Sequence, residues 1–150
     1  MIQLAKIETV LPCNTLQYRL HKALRKPMIY LVEDNDVVRD SLAGMLKELA
    51  NVQVAGVAST ELEATEWLLG HPDEWQMAVV DLFLLQGSGL GVLSSCANRK
   101  PTQKVVVLTN YATTDIRRRA LALGADAVFD KTNELDKFLA YCTASRLSTA

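Results

Sequence analysis

The chain has 150 residues and 49% of them are hydrophobic, which suits one globular domain with a substantial core. Its formal net charge is -1, so no overall field would attract nucleic acid or an acidic membrane. No apolar stretch approaches the ~20 residues that span a bilayer, and the first residues lack the zones of a secretory signal. We therefore expect a cytoplasmic protein. Its three cysteines are widely spaced among apolar residues, as is typical of reduced structural thiols: Cys13, Cys96 and Cys142.

Residues 1–27 lie outside the regular pattern that follows them. They contain one apolar stripe at helical spacing, formed by Leu16, Leu20, Ala23 and Leu24. An isolated short helix is marginal in water, so a helix here needs an apolar partner in the rest of the chain or in a second copy. A frayed tail is the alternative. The sequence predicts an N-terminal extension over 1–27, helical in part, and a main domain over 28–150.

Five short apolar runs alternate with amphipathic stretches from residue 28 onward. Several runs are rich in valine and apolar throughout, as expected for parallel strands that are covered on both faces. Five βα units fill about 120 residues, and right-handed crossovers then give a parallel sheet with helices on both sides. The predicted strands are Met28–Val32, Val52–Val57, Met77–Val80, Val105–Leu108 and Ala127–Phe129.

The helices between these strands have recognisable beginnings and ends. The first carries one apolar stripe from Val38 to Leu49, and the second opens with a capping-box pair and ends near Gly70. The third is short, with an apolar side that reaches Ala97, and the fourth begins near Thr113 and stops at Gly124. The fifth is predicted to begin at Thr132 or Asn133 and to bury Leu135, Phe138, Leu139 and Cys142.

Chemically active side chains follow four of the five strands. Glu33 and Asp34 follow the first strand, Asp81 the third, Thr109 the fourth and Lys131 the fifth. Ligands of open parallel sheets bind outside the carboxyl ends of the strands, near the point where strand order reverses. Carboxylates are hard oxygen ligands that suit Mg²⁺, and a cation between them would relieve their mutual repulsion. The pattern predicts a magnesium site at this edge.

Each of these residues also has an ordinary structural interpretation. The acids of the EDND segment suit a solvated helix N-terminus, Asp81 a strand-end cap, and Lys131 the solvated surface. A nucleotide or flavin binder would need a Gly- or hydroxyl-rich loop where EDND stands. A phosphatase with an aspartyl nucleophile would need a second acid at the position of Phe83. The joint arrangement favours neither of these two classes.

Four ordered stretches resemble the receiver domain of two-component response regulators, and the resemblance covers roughly residues 28–146. They are YLVEDNDVVRDSL, MAVVDLFLLQGSG, KVVVLTNYA and GADAVFDKT. The resemblance implies an α/β, flavodoxin-like (βα)5 fold, in which a doubly wound parallel five-stranded sheet has the order 2-1-3-4-5. The main domain, 28–150, would then be the receiver domain.

The resemblance also implies a role for each candidate residue. Asp81 would be the phosphoacceptor, Thr109 the switch hydroxyl, and Lys131 the lysine that pairs with the phosphoryl group. Glu33, Asp34 and Asp81 would hold Mg²⁺ together with the backbone carbonyl of Phe83. Four residues would modulate the site, either because they flank the path of water or because they depart from the family pattern: Phe83, Tyr111, Asn110 and Val128.

The implied function is that of a stand-alone signalling phosphoacceptor, not of an enzyme. Its phosphoryl donor would be a sensor histidine kinase or a histidine phosphotransfer protein. Output would pass by contact with a downstream protein or by phosphorelay, without direct contact to nucleic acid or membrane, and a homodimer is a further expectation. Two alternatives remain open at this stage: a receiver fragment of a DNA-binding transcription factor, and a pseudo-receiver that acts as a scaffold.

Overall fold

The computed structural model describes residues 15–17, 19–20 and 25–147, and within 28–147 five strands alternate with five helices. Each strand is followed by one helix, as the sequence predicts. The elements are β1 (Met28–Val32), α1 (Asp36–Leu49), β2 (Gln53–Ala58), α2 (Glu61–Gly70), β3 (Met77–Val80), α3 (Gly89–Ser95), β4 (Lys104–Thr109), α4 (Thr114–Ala122), β5 (Ala127–Asp130) and α5 (Leu135–Leu147).

The strands form a parallel sheet in the order β2-β1-β3-β4-β5. Strand order reverses beside β1, which pairs with β2 on one side and with β3 on the other. The carboxyl ends of β1 and β3 therefore lie next to each other at the position where such sheets bind ligands. This topology confirms the predicted flavodoxin-like fold and the predicted strand order.

Two apolar cores cover the two faces of the sheet. Successive residues of β1 point to opposite faces, so Tyr30 and Val32 lie in one core while Ile29 and Leu31 lie in the other. This explains why the strand sequences are apolar at every position. The first core includes Leu68 of α2, Leu93 of α3 and Ala120 of α4, and the second includes Leu42 and Leu46 of α1 and Phe138 of α5.

The predicted apolar stripe of α1 and the predicted start of α5 both differ from the structure. Leu49 is 66% exposed, because the buried stripe of α1 continues from Leu46 to Ala50 instead. Helix α5 begins only at Leu135, because the Asp130 carboxylate accepts the backbone N–H groups of Thr132 and Asn133 and holds them in a turn.

Smaller differences affect two other elements. Strand β2 runs one residue later than predicted at both ends, from Gln53 to Ala58. Helix α3 ends at Ser95, where Cys96 acts as its C-cap, so the helix does not reach Ala97.

The N-terminal stripe is described only in part. Leu16 and Leu20 lie in helical backbone, and their side chains are 69% and 54% exposed. Ala23, Leu24 and Cys13 lie outside the described residues. Cys96 and Cys142 are buried free thiols. Among the helices that the structure describes, none is both long enough and apolar enough to cross a membrane.

Candidate functional site

Three candidate residues continue the backbone hydrogen bonding of the sheet by one residue beyond the end of their strands. The backbone N–H of Glu33 donates to Ala58 O at 2.9 Å, and that of Asp81 donates to Val32 O at 3.0 Å. The Lys131 N–H donates in the same way to Thr109 O at 3.0 Å. Because each residue is still hydrogen-bonded to a neighbouring strand, the sheet fixes where its side chain begins.

The ammonium group of Lys131 lies between two carboxylates. Its Nζ atom is 2.5 Å from Glu33 Oε2 and 2.9 Å from Asp81 Oδ2, and all three side chains are largely buried. Burial raises the pKa of Glu33 above its ordinary value, although Lys131 opposes that effect. Burial alone would lower the pKa of Lys131, but the two carboxylates outweigh it and raise that pKa. The lysine thus relieves part of the electrostatic repulsion between the acids, which the sequence pattern alone attributes to a metal ion.

Asp34 stands beside this ion pair and connects the site to the loop after β3. Its Oδ2 atom accepts the backbone N–H of Leu85 at 2.8 Å. Oxygen atoms of Glu33, Asp34 and Asp81 lie within 4.8 Å of one another, close enough to share one cation. Carboxylate oxygens at this edge fit the coordination that Mg²⁺ prefers, in which one or two carboxylates bind directly and water fills most of the remaining positions.

The other two residues of the EDND segment serve helix α1. Asn35 is the N-cap of that helix, and its side chain accepts the N–H of Val38 at 3.0 Å. Asp36 lies in the first turn, where it is exposed and pairs with Arg39 at 2.8 Å. Of the four residues in this segment, Glu33 and Asp34 are therefore candidate site residues, Asn35 is a helix cap and Asp36 belongs to a surface ion pair.

The loop after β3 folds back over Asp81. The backbone N–H of Phe83 donates to Asp81 Oδ1 at 3.2 Å, so the two carboxylate oxygens of Asp81 have different partners. The side chain of Phe83 is 50% exposed and contacts the ring of Tyr111, which follows β4. The two residues that are predicted to flank the path of water thus contact each other.

The predicted switch residue Thr109 and the two remaining modulating residues, Asn110 and Val128, differ in burial. Thr109 is fully buried at the end of β4, and its hydroxyl oxygen accepts the N–H of Tyr111 at 3.3 Å. Asn110 is exposed in the same loop. Val128 is buried in β5, and its carbonyl accepts a hydrogen bond from Arg117 Nη1 at 3.0 Å. Val128 therefore contributes to the core and does not line the mouth of the site.

Two contacts of the site were not anticipated from the sequence. The ion pair between Lys131 and Glu33 joins residues 98 positions apart, and only their common place at strand ends hinted at it. The Leu85 N–H is a backbone group, so no side-chain pattern could have indicated its bond to Asp34.

A family profile described as the response regulator receiver domain matches residues 29–143. This chain belongs to the response regulator receiver family. The matched region contains all five strands except Met28, and it extends into α5 as far as Thr143, the ninth residue of that helix. The receiver family is a family of signalling phosphoacceptor domains, and the predicted resemblance is confirmed.

Curated relatives of the receiver region include a transcriptional activator and a phosphodiesterase. The chain is 30% identical over 98 residues to the DNA-binding transcriptional activator DevR/DosR of Mycobacterium tuberculosis, a match that covers 65% of the chain and 44% of that protein. It is 28% identical over 108 residues to a cyclic di-GMP phosphodiesterase of Thermotoga maritima, covering 72% of the chain and 28% of that protein. The chain thus spans less than half the length of either relative.

Solved receiver structures share the fold. The non-phosphorylated HemR receiver domain of Leptospira biflexa superposes with a TM-score of 0.69 at 28% identity, covering 81% of this chain and 94% of that one. The response regulator domain of Thermotoga maritima CheB gives a TM-score of 0.71 at 18% identity, covering 81% and 97%. At 18% identity, the second likeness shows the fold alone.

Proposed function

We propose that this receiver accepts a phosphoryl group on Asp81 in a Mg²⁺-dependent reaction, and that the donor is a phosphohistidine. The observation that carries the proposal is the position of Asp81. Its carboxylate is 2.9 Å from Lys131 Nζ, and carboxylate oxygens of Asp81, Glu33 and Asp34 lie within 4.8 Å of one another. A nucleophilic carboxylate next to an ammonium group and two further acids is the arrangement that phosphoryl transfer to aspartate requires.

The transfer step follows from this arrangement. A carboxylate oxygen of Asp81 attacks the phosphorus in line, so that an O–P bond forms while the P–N bond to the imidazole breaks. The electron pair of that bond stays on the imidazole nitrogen. An ammonium has three donors, so Lys131 can hold its carboxylate partners and turn an N–H toward a phosphoryl oxygen. Its charge offsets the negative charge on the equatorial oxygens.

The metal ligands would come from the acidic cluster and one carbonyl. Asp34 and Asp81 would bind directly, Glu33 through a water molecule, and Phe83 through its backbone oxygen. When bound, Mg²⁺ supplies charge neutralisation for the transferring group and a template for its oxygens. The chain's own contribution is to hold these ligands on loops that the sheet and the Asp34–Leu85 bond keep in place.

Thr109 would respond to phosphorylation by forming a hydrogen bond to the phosphoryl group. Its hydroxyl oxygen accepts the Tyr111 N–H, which leaves the hydroxyl proton for a phosphoryl oxygen. Such a bond would draw the loop that carries Asn110 and Tyr111 toward Asp81. Val128 offers no ring that could swing inward, so the change would pass through the backbone of this loop.

We further propose that the receiver acts in the cytoplasm and signals through a downstream protein or a histidine phosphotransfer partner. A sensor histidine kinase would be its donor, and a second copy of the chain is a candidate partner. One alternative is favoured by a specific observation. The relative DevR/DosR is described as a DNA-binding activator and is matched over only 44% of its length, so the chain can equally serve as the receiver part of a DNA-binding regulator.

A beryllofluoride titration tests the acceptor site directly. Beryllofluoride mimics a phosphoryl group on a carboxylate, so the chain should bind it only when Mg²⁺ is present. The Asp81→Asn variant should bind Mg²⁺ weakly and beryllofluoride not at all. Binding that is equal in the two proteins would contradict the proposal, and a complete lack of binding by the unsubstituted chain would support the scaffold alternative.

A further inference from the structure

Residues 87–91 read GSGLG, and the two outer glycines border one carboxylate, that of Glu61. A Cβ atom at Gly91 would lie 1.9 Å from Glu61 Oε1, and a Cβ atom at Gly87 would lie 2.4 Å from Glu61 Cβ. Gly87 also has a φ of 78°, which disfavours any other residue. Both positions therefore leave room for the Glu61 side chain to lie against this segment.

Glu61 uses that room to hold the segment from two sides. Its Oε2 atom accepts the backbone N–H of Ser88 at 2.8 Å, and its own backbone N–H donates to Gln86 O at 3.2 Å. Ser88 is the N-cap of α3, and its hydroxyl oxygen accepts the N–H of Leu90 at 3.1 Å. Glu61, in the first turn of α2, thus fixes the residue at which α3 begins.

Gly89, the middle glycine, lies between the Glu61–Ser88 hydrogen bond and the backbone of Asp81. A Cβ atom at Gly89 would lie 2.2 Å from the backbone oxygen of Asp81 and 2.7 Å from Leu82 Cα. The Gly89 N–H donates to Leu82 O at 3.1 Å. The first turn of α3 therefore rests directly on the backbone that carries the Asp81 side chain.

We propose that Glu61 is a positioning residue for the acceptor loop, residues 81–88. The loop is held near its middle by the Asp34–Leu85 bond and at its end by the Glu61–Ser88 bond. Between Asp81 and these two tethers lies Phe83, whose carbonyl is the proposed metal ligand. Glu61 touches none of the reacting groups. It acts by holding the Phe83 carbonyl and the Asp81 side chain in fixed positions relative to each other. This inference rests on the proposed function, because it assigns Glu61 to the same site.

Four variants separate positioning from a general contribution to stability. Glu61→Ala removes the acceptor of the Ser88 N–H, whereas Glu61→Gln keeps a side-chain oxygen that can accept it. Glu63→Ala is a matched stability control, since Glu63 accepts the Ser59 N–H at the start of α2 and makes no contact with the acceptor loop among the described residues. Glu66→Ala removes an exposed acid from the same helix.

Calorimetric Mg²⁺ titration of the full chain gives the first readout. We expect Glu61→Ala to bind Mg²⁺ about 10-fold more weakly, as is typical when a group that supports metal ligands is lost. Glu61→Gln should restore most of that affinity, and the Glu63 and Glu66 variants should bind as the unsubstituted chain does. Equal affinity in Glu61→Ala and the unsubstituted chain would overturn the positioning role alone. No Mg²⁺ binding by the unsubstituted chain would contradict the proposed function itself.

A second readout requires neither metal nor phosphoryl donor. Amide exchange at Ser88 should become faster in Glu61→Ala than in Glu63→Ala, measured without Mg²⁺. Gly91→Ala should lower the denaturation midpoint of the unsubstituted chain, because the new methyl group meets Glu61. In the Glu61→Ala background the same change should raise the midpoint, since alanine favours a helix more than glycine does. Unchanged exchange, or the same midpoint shift in both backgrounds, would overturn the inference.

Discussion

The ring of Phe83 meets the ring of Tyr111 edge-on, with their centroids 5.0 Å apart and their planes inclined by 70°. Phe83 lies two residues beyond Asp81, and Tyr111 lies two residues beyond Thr109. The rings therefore join the loops that follow β3 and β4, and they remain 50% and 62% exposed. Edge-to-face contacts of this kind are favourable, so the two rings form one apolar unit between the two loops.

This ring pair predicts a long-lived phosphorylated state. Hydrolysis of an aspartyl phosphate needs a water molecule in line with the bond to Asp81, and two aromatic rings hinder the approach of water more than polar side chains would. Replacing the pair by Phe83→Asn and Tyr111→Glu should speed the loss of a radioactive phosphoryl group. Leu85→Ala, which shortens an exposed side chain in the same loop, is the control and should leave the rate unchanged. Unchanged or slower loss in the double variant would count against this role.

Asp34→Asn should weaken Mg²⁺ binding without weakening the fold. The asparagine oxygen can still accept the Leu85 N–H, and the loss of one acid reduces repulsion within the cluster, so the metal-free stability should stay equal or rise. Asn35→Ala is the matched control, because it removes the cap of α1 and should cost ~1 kcal/mol while leaving Mg²⁺ affinity intact. Titration with Mg²⁺ and urea denaturation measure both effects. A metal-free destabilisation of Asp34→Asn as large as that of Asn35→Ala would show that Asp34 is structural.

Lys131→Ala should destabilise the metal-free protein. The change leaves Glu33 and Asp81 buried without their cation, and losing one member of a buried pair costs about 3 kcal/mol. Added Mg²⁺ should restore more stability to this variant than to the unsubstituted chain, because the ion replaces the missing charge. Lys137→Ala, which removes an exposed ammonium from α5, should have little effect. A Lys131→Ala variant as stable as the Lys137→Ala control would contradict this account of the ion pair.

Tyr30 should make the fold sensitive to alkaline pH. Burial, helped by the charge of Glu63, raises the pKa of Tyr30 to about 12, whereas an unfolded chain releases this proton at pH ~10. The free energy of unfolding should therefore fall by about 2 kcal/mol as the pH rises from 10 through 12. Tyr30→Phe should abolish that part of the loss, and Tyr111→Phe should keep it. Identical alkaline profiles for both variants would show that Tyr30 does not cause it.

Most of the fold follows from local patterns in the sequence. The valine-rich runs specify buried strands, and the capping residues Asn35, Thr60 and Thr113 begin their helices where side-chain oxygens can accept backbone N–H groups. The crossover rule then brings Glu33, Asp81 and Lys131 to one edge of the sheet. These features depend on neighbours in sequence or on general topology, so they could be predicted.

The features that could not be predicted depend on contacts between residues that are far apart in the sequence or on competition for backbone hydrogen bonds. The ion pair between Lys131 and Glu33 depends on the twist and spacing of the strands, which cannot be derived from a residue pattern. The late start of α5 depends on one carboxylate, that of Asp130, competing for backbone donors. The mutual contact of Phe83 and Tyr111 likewise requires two loops to approach each other.

The most direct test of the central claim is to locate the phosphoryl group. The full chain is treated with a small phosphodonor such as acetyl phosphate and Mg²⁺, and the acyl phosphate is then mapped by reduction with borohydride and mass spectrometry of the peptides. We predict near-stoichiometric labelling at Asp81 that depends on Mg²⁺ and is lost in Asp81→Asn, while the far-ultraviolet circular dichroism of that variant is unchanged. Equal labelling of the Asp81→Asn variant, or a label on any other residue of the unsubstituted chain, would contradict the assignment.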